Sequence, residues 1–461
     1  MSITAGKKQQ GALLVMVAGL IIGVSHMLAS STTQLSVTMI VGAIACLLAF
    51  LNAEIALYFL IMAMLLSPQL EVGQTNGATL GRAVTLRIDD FVLLVICSTW
   101  FIKSALYREI DLLKSTPLNN AMYLYAFVAV FSTMLGMLAG NVDPKTGALF
   151  VLKYIEYFLI FWMAVNATED EGQIRRFLVA LLLVAFIVSI VAIVQIPQGG
   201  RISAPFEGPN GEPNTLGGYL IFVIALTGGI IFADARHRVP AMLLCGFFLL
   251  ALTYTLSRAS YLGFVPMALS LPLLTKRYNI FAFTLIIGLI VAAFPQQVLP
   301  KAVFDRLDYT FTQTSTHAEQ VHVLGRRVDT STSARLLYMS AAMDAFFEKP
   351  AFGWGVTGWH FLDCQYFRTL SETGFFGMAT LVLLLYRVLQ MAFKVLKEMR
   401  DRDPLYLGLT AGFIAGMIGL MFHAIGSNTF IIVRIMEPFW LCCALVYLLP
   451  QLTSPISKPA V

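Results

Sequence analysis

Charge is scarce in this chain. Asp, Glu, Lys and Arg together make up 12% of its 461 residues, where soluble domains carry about 25%. So few ionic side chains cannot cover a water-facing surface, which excludes an ordinary soluble fold. The formal net charge of +5 is small and dispersed, so no basic patch offers itself to nucleic acid. Cysteine supplies no scaffold either. Cys46, Cys97, Cys245, Cys442 and Cys443 lie inside apolar runs, and only Cys364 sits in polar sequence. That pattern argues against a disulfide framework or a CxxC metal site. The sequence has no Walker loop, no HExxH motif and no low-complexity tract. The short alternating strands of an outer-membrane barrel are missing too.

What the chain has is apolar length. Hydrophobic residues make up 58% of it, with 34 Phe and 20 Met, and the mean hydropathy is +0.78. Runs of about eighteen or more such residues are long enough to cross a bilayer as helices. The chain therefore reads as an all-α, polytopic helical membrane protein with about fourteen transmembrane helices. The fourteen segments are 11–29, 36–52, 54–68, 90–107, 119–139, 147–166, 177–196, 214–233, 239–256, 259–275, 279–298, 371–393, 406–425 and 430–449. Tight joins near residues 53 and 257 leave the count open by two. The first run, after Lys7 and Lys8, exceeds the apolar core of a secretory signal, so an uncleaved first span is expected.

Positive charge orients the spans. Lys103, Arg108 and Lys114 share one connection; Arg175 with Arg176, Arg236 with Arg238, Lys276 with Arg277, and Lys394, Lys397, Arg400 and Arg402 fall in alternate later ones. All lie on the side of Lys7 and Lys8, which is therefore the cytoplasm. The expected division is residues 1–298 as helices one to eleven, 299–370 as a partly helical periplasmic loop, and 371–461 as the last three helices and a cytoplasmic tail. The loop is the longest water-compatible stretch and ends in the polar run Asp363–Gly374. Charge at a bilayer boundary is costly unless it serves something, so chemistry is sought there.

Each candidate residue has a bland alternative. Arg258 sits at an outer junction of two spans, where positive charge is normally depleted; the plain reading is an arginine snorkelling to headgroups. Arg335 opens an amphipathic stretch and is otherwise a solvated helix end. Arg201 and Asn214 flank a Gly/Pro-rich loop, whose composition is ordinary turn chemistry. Arg434 lies within the last span, where an ion defaults to function unless it pairs with Glu437 one turn on. Glu372 is either a reactive carboxylate or a helix cap. Asp89 and Asp90 read as capping residues. His26, His237, His317 and His322 show no ligand spacing, His423 reads as a core histidine, and His360 has no evident partner.

A set of motifs then stands in a recognisable order. It runs Leu152-Lys-Tyr-Ile-Glu-Tyr157, Pro213-Asn-Thr-Leu-Gly-Gly-Tyr219, Ser257-Arg258, Ser333-Ala-Arg335, Pro350-Ala-Phe-Gly-Trp-Gly355 and Asp363-x-x-Tyr-x-x-x-Leu-x-Glu-x-Gly374. From about Asp89 onward the chain resembles the O-antigen ligase and O-antigen polymerase superfamily, which includes exopolysaccharide polymerases. The resemblance implies a metal-independent glycosyltransferase without cofactor, working at the periplasmic face of the bacterial inner membrane. Its implied donors are oligosaccharides on undecaprenyl diphosphate, its acceptors saccharides, and its partners membrane lipid and polysaccharide export or chain-length proteins. Where ligases carry His-Asn, this chain has Asp363-Cys364, which favours polymerisation over ligation. The ligase histidine has no counterpart here.

The residues fit such chemistry. Displacing a diphosphate from an anomeric carbon leaves negative charge that arginines stabilise through bidentate bonds. The incoming hydroxyl needs a base, for which Asp363 and Glu372 are candidates, and back-side attack implies inversion. Arg258, Arg335 and Asp363 are accordingly the expected catalytic groups, with Arg201, Asn214, Tyr366, Glu372 and Arg434 binding substrate. Two rivals stay open: a transporter or flippase of lipid-linked sugars, and a structural partner in an envelope assembly. Transporters place polar sites near the midplane of broken helices and often show repeated halves; here the polar groups gather at the outer surface, Lys153 excepted.

Overall fold

A computed structural model describes residues 52–67, 69–74, 83–87, 93, 114–205, 211–313, 320–323 and 325–453. Expected span 11–29 and the pair Asp89-Asp90 lie outside these residues, as do spans 36–52 and 90–107 except for Asn52 and Leu93. Among the described residues the chain is all-α, with fourteen α-helices and two short antiparallel strand pairs. The order is α1 (Ala53–Leu66), β1 (Gln69–Gln74), β2 (Ala83–Arg87), α2 (Asn119–Leu138), α3 (Pro144–Ala167), α4 (Glu171–Ile193), α5 (Pro213–Ala233), α6 (Arg238–Tyr254), α7 (Arg258–Leu274) and α8 (Tyr278–Ala293). There follow α9 (Pro295–Val298), α10 (Lys301–Thr312), the strand pair β3 (His322–Val323) and β4 (Arg326–Arg327), α11 (Thr330–Glu348), α12 (Gln365–Met399), α13 (Pro404–His423) and α14 (Val433–Leu452). Seven helices, α2 to α5 and α12 to α14, are long and apolar enough to cross a membrane; α1, α6, α7 and α8 are shorter apolar helices.

Local sequence sets the helix starts. Asp143 caps α3, taking the Thr146 N–H at 2.8 Å, with Pro144 at the first helical position. Proline there forfeits only an N–H that has no partner inside the helix. Asp170 and Gln173 form a capping box at α4, and Asp403 with Pro404 repeats the first device at α13. Each cap satisfies amide groups that the first turn leaves open.

The core is built around α5, almost wholly buried against α13, α7 and α6. Glycines at 408, 412 and 416 recur every fourth residue of α13; the first two lie on the backbone of α5 and the third on Phe222 and Ala225. Membrane helices associate through such close packing, since lipid offers no hydrophobic drive. Helix α14 meets Phe158 and Phe161 edge-on through Trp440 and stacks Phe439 on Phe413.

The bundle has two distinct ends. At one, Arg176 pairs with Glu54 at 2.8 Å, the Tyr406 hydroxyl donates to Glu171, Arg402 donates to the Thr453 carbonyl, and Arg400 donates to the Leu274 carbonyl at 3.4 Å. At the other, Arg201 reaches the Thr255 carbonyl and Asn428 the Leu362 carbonyl, and α9 to α11 gather there. That second end is the loop end.

Candidate functional site

Four arginines meet at the loop end, each brought by a different element. Arg258 is the first residue of α7, fixed because the Ser257 side chain caps that helix. Arg201 arrives on the segment before α5, Arg306 on α10 and Arg335 on α11. Both Nη atoms of Arg258 donate to the two oxygens of Asp329, and Nη1 also donates to the Thr310 hydroxyl at 2.7 Å. Asp329 is itself the cap of α11, accepting from Ser331 and Thr332 amides at 3.0 and 3.1 Å. One buried carboxylate therefore ties the start of α7 to the start of α11. Burial alone would raise Asp329, but its bonds to Arg258 and Thr332 outweigh that and hold it below the usual carboxylate range.

Arg335 faces Asp363 at 3.7 Å, with both side chains partly open to solvent. Arg201 donates to the Thr255 carbonyl at 3.1 Å and to the Asn214 side chain at 3.4 Å. Asn214 also accepts from the Ser257 hydroxyl at 2.8 Å, so it links Arg201 to the cap beneath Arg258. Loss of water around the Arg201 guanidinium, reinforced by the charges of Arg306, Arg335 and Arg258, pushes its pKa down to about 10. Burial and the charge of Arg258 lower Arg306 as well. Two like charges about 8 Å apart repel by roughly 2 kcal/mol at an effective dielectric near 20. Two of the four arginines are paired here, Arg258 with Asp329 and Arg335 with Asp363.

Of the eight residues singled out by sequence, the structure gathers five here: Arg258, Arg335, Asp363, Arg201 and Asn214. The other three lie elsewhere. Tyr366 donates its hydroxyl to the Met421 carbonyl at 2.7 Å and pins α12 to α13. Arg434 is buried and donates to the carbonyls of Pro205 at 2.9 Å and Ser67 at 3.2 Å, fastening two loops to α14. Glu372 belongs to a second polar region. It accepts from Arg368 at 3.0 Å one turn earlier on α12, and from the Thr357 amide at 3.1 Å. Neither bond comes from an amide of the helical stretch that follows Gly374, so these are not the bonds of a helix cap.

Around Glu372, α12 is broken. Gly374 has φ +66° and ψ −160°, which ends one helical stretch and starts another. The turn after α11 plugs the break. Trp354 and Gly355 amides donate to the freed carbonyls of Ser371 and Glu372 at 2.9 and 2.8 Å. The Phe375 and Phe376 amides donate back to Pro350 and Ala351 at 2.8 and 3.2 Å. Non-helical backbone in a membrane bundle survives only where protein satisfies it, so Pro350–Gly355 acts as a structural clasp. Gly353, at φ +66°, lies so close that a β-carbon would sit 2.6 Å from the Glu372 carbonyl.

Sequence reasoning passed over Asp329 and gave Arg306 no role. Arg306 does carry a signal, since it is four residues before Thr310 on one face of α10 and is a cation at the depleted end. Asp329 carries none before the fold brings α7 and α11 together. Among the described residues no three His, Cys, Asp or Glu side chains converge as a metal site would require.

Residues 241–382 match the family model described as O-antigen ligase. The match supports membership of the O-antigen ligase superfamily. It spans Arg258, Arg306, Asp329, Arg335, Asp363, Arg368 and Glu372, and leaves Arg201 and Asn214 outside. No curated protein matches the chain. The matched region and the seven helices long and apolar enough to cross a membrane together describe a multi-pass membrane protein with an O-antigen-ligase-like region.

Proposed function

We propose that this protein polymerises undecaprenyl-diphosphate-linked oligosaccharide units at the periplasmic face of the inner membrane. The observation that carries the reading is the convergence of Arg201, Arg258 and Arg335 beside Asp363 at the loop end. Charge sidedness supports the orientation, because the end opposite the cluster carries the lysine- and arginine-rich connections;. In the reaction, an acceptor hydroxyl attacks the anomeric carbon of the donor sugar from the face opposite the phosphate. The new glycosidic bond forms as the bond from anomeric carbon to phosphate oxygen breaks, and the lipid diphosphate leaves with the electron pair. The arginines stabilise that charge as a divalent metal would elsewhere. Asp363 takes the hydroxyl proton, and the anomeric configuration inverts. Residues 299–370 cap the site as one periplasmic unit, and 1–298 and 371–461 form the membrane body.

A ligase is the second reading, favoured by the description of the matching family model and opposed by Asp363-Cys364 standing at the ligase histidine position. Incubating the purified protein in nanodiscs with one lipid-linked oligosaccharide decides between them. A ladder of longer lipid-linked chains supports polymerisation. Transfer occurring only to an added non-identical glycolipid acceptor would favour ligation, and absence of any transfer would overturn both.

A further inference from the structure

The turn between α13 and α14 is polar, yet it is buried. Ser427, Asn428 and Thr429 are 2%, 3% and 0% exposed, where Ser and Asn in a connecting turn ordinarily face water. Buried polar groups persist when they are paired, and this turn pairs with one short segment, the entry to α12. Asn428 donates from Nδ2 to the Leu362 carbonyl at 2.7 Å. The Gln365 amide donates to the carbonyls of Ala424 at 3.0 Å and Ser427 at 3.3 Å. The Gln365 side chain returns the tie, its Oε1 accepting from the Phe430 amide at 3.0 Å. Within the turn, the Thr429 hydroxyl meets His423 Nδ1 at 2.7 Å.

Between the two tied residues sit Asp363 and Cys364. Leu362 and Cys364 pack in one buried cluster with Ala342 of α11, so the side chain between them turns outward. Asp363 keeps 20% of its side chain exposed and faces Arg335 at 3.7 Å. One side chain of these four is left open, and both its flanks are anchored to the same turn. Asn428, meanwhile, leaves its own Oδ1 buried with no hydrogen-bond partner among the described residues. An unmatched buried acceptor costs stability, so this amide is not explained by what it adds to the fold. The bond that it does make ends on the residue beside Asp363.

We propose that Asn428 and Gln365 are positioning residues for Asp363, with the turn 424–430 as a brace that holds this carboxylate in place opposite Arg335. Both are buried, and they act through Asp363 rather than on substrate. Asn428 and the rest of the turn lie outside the residues 241–382 that match the family model. The inference deepens the proposed function and rests on it only for what Asp363 does at that place. A general base must lie within hydrogen-bond reach of the proton it takes, and a misplacement of about 1 Å can cost about 10²-fold in rate.

Asn428→Leu removes the bond to Leu362 with a side chain of similar shape. It exchanges one unmatched acceptor, Oδ1, for another, the Leu362 carbonyl, so the thermal unfolding midpoint should stay near the wild-type value. In full-length protein in phosphatidylcholine nanodiscs, hydrogen exchange of peptides spanning residues 361–366 should quicken about tenfold or more as the segment opens locally. Calorimetric titration with inorganic pyrophosphate should give wild-type affinity, because the arginines keep their places. The single-turnover rate of extending lipid-linked oligosaccharide should fall about 10- to 10²-fold. Gln365→Met, which takes the acceptor from the Phe430 amide, should show the same split between affinity and rate. Ser189→Ala, which cuts a buried bond within α4, should leave exchange at 361–366 and extension alone. Added to Asp363→Asn, Asn428→Leu should cost little more, since losses that act through one group do not add. The proposal is overturned if exchange at 361–366 is unchanged in both brace variants, or if the two losses multiply in the double variant. Should Asp363→Asn extend chains like wild type, the base reading fails while exchange still decides the brace, so the two can fail separately.

Discussion

The loop end holds two arginine-carboxylate regions built to different rules. In the clasp, Arg368 and Glu372 lie one turn apart on α12, both buried, and two carbonyls and two amides at the Gly374 break pair with Trp354, Gly355, Pro350 and Ala351. In the cluster, arginines outnumber acids, side chains are partly open, and Arg306 keeps a buried donor unfilled. The clasp uses polar groups to hold an irregular backbone inside a membrane bundle, and pairing within the fold is its mark. The cluster leaves positive charge unmatched. An ion near the membrane surface is thus read less by its burial than by whether its own fold has already satisfied it. By that measure Glu372 is satisfied by its own fold, whereas the arginines around Arg258 are only partly matched.

Asp363 gives the hardest test of the contrast. Loss of a general base costs about 10²–10⁴ in rate, so Asp363→Asn should bind donor normally and elongate chains at that much lower rate. Pyrophosphate titration and a single-turnover extension assay read the two separately. Extension at the wild-type rate would remove Asp363 from the mechanism; Glu372, bonded within the clasp, would be a poor replacement.

The clasp should answer in stability instead. Taking one partner from a buried ion pair costs about 3–5 kcal/mol, because the other charge is left uncompensated. Glu372→Gln should therefore lower the unfolding midpoint in detergent markedly. Replacing both partners, as Arg368→Met with Glu372→Leu, should recover much of it. If Glu372→Gln unfolds like wild type but loses elongation, the assignment of the two regions is reversed.

Arg258→Lys probes the cluster in the same terms. Removing a charge-stabilising donor costs about 10²–10³ in rate, and lysine keeps the charge but loses the planar fork. A comparable fall in extension rate is expected. The stability change should be smaller than for Glu372→Gln, since a lysine ammonium can still meet Asp329. Wild-type extension by this variant would reduce Arg258 to a strut between α7 and α11.

Much of this was legible from the chain. Each apolar run that falls on described residues is helical, and Arg258, Arg335 and Arg201 stood out as cations at the depleted end. The run at 371–393 misled because hydropathy cannot separate a polar turn buried in protein from one in water: Gln365, Arg368 and Glu372 are buried, yet their side chains read as loop. The backbone carbonyls that Tyr366 and Arg434 serve become their neighbours only in the fold, so those bonds could not be read from the chain. Asp329 was invisible for the same reason.

The smallest expected effect is also the sharpest divider. In the free protein Arg201 has a pKa of about 10, lowered by burial and by its three arginine neighbours. A bound diphosphate would offset that repulsion and favour the charged form, so the pKa must rise on binding. By linkage, binding then takes up protons only at pH values between the free and bound pKa. At pH 7.5 the group is protonated in both states and no uptake is expected. Near pH 10 less than one proton per site should be taken up. Calorimetry of pyrophosphate binding in two buffers of different ionisation enthalpy measures this directly. Arg201→Gln should remove most of the uptake, the remainder coming from Arg306, whose pKa is lowered by burial and by Arg258. Glu372→Gln should leave it intact, because the clasp has no unmatched charge to release. Uptake that survives Arg201→Gln undiminished would mean that the anion sits against another part of the cluster.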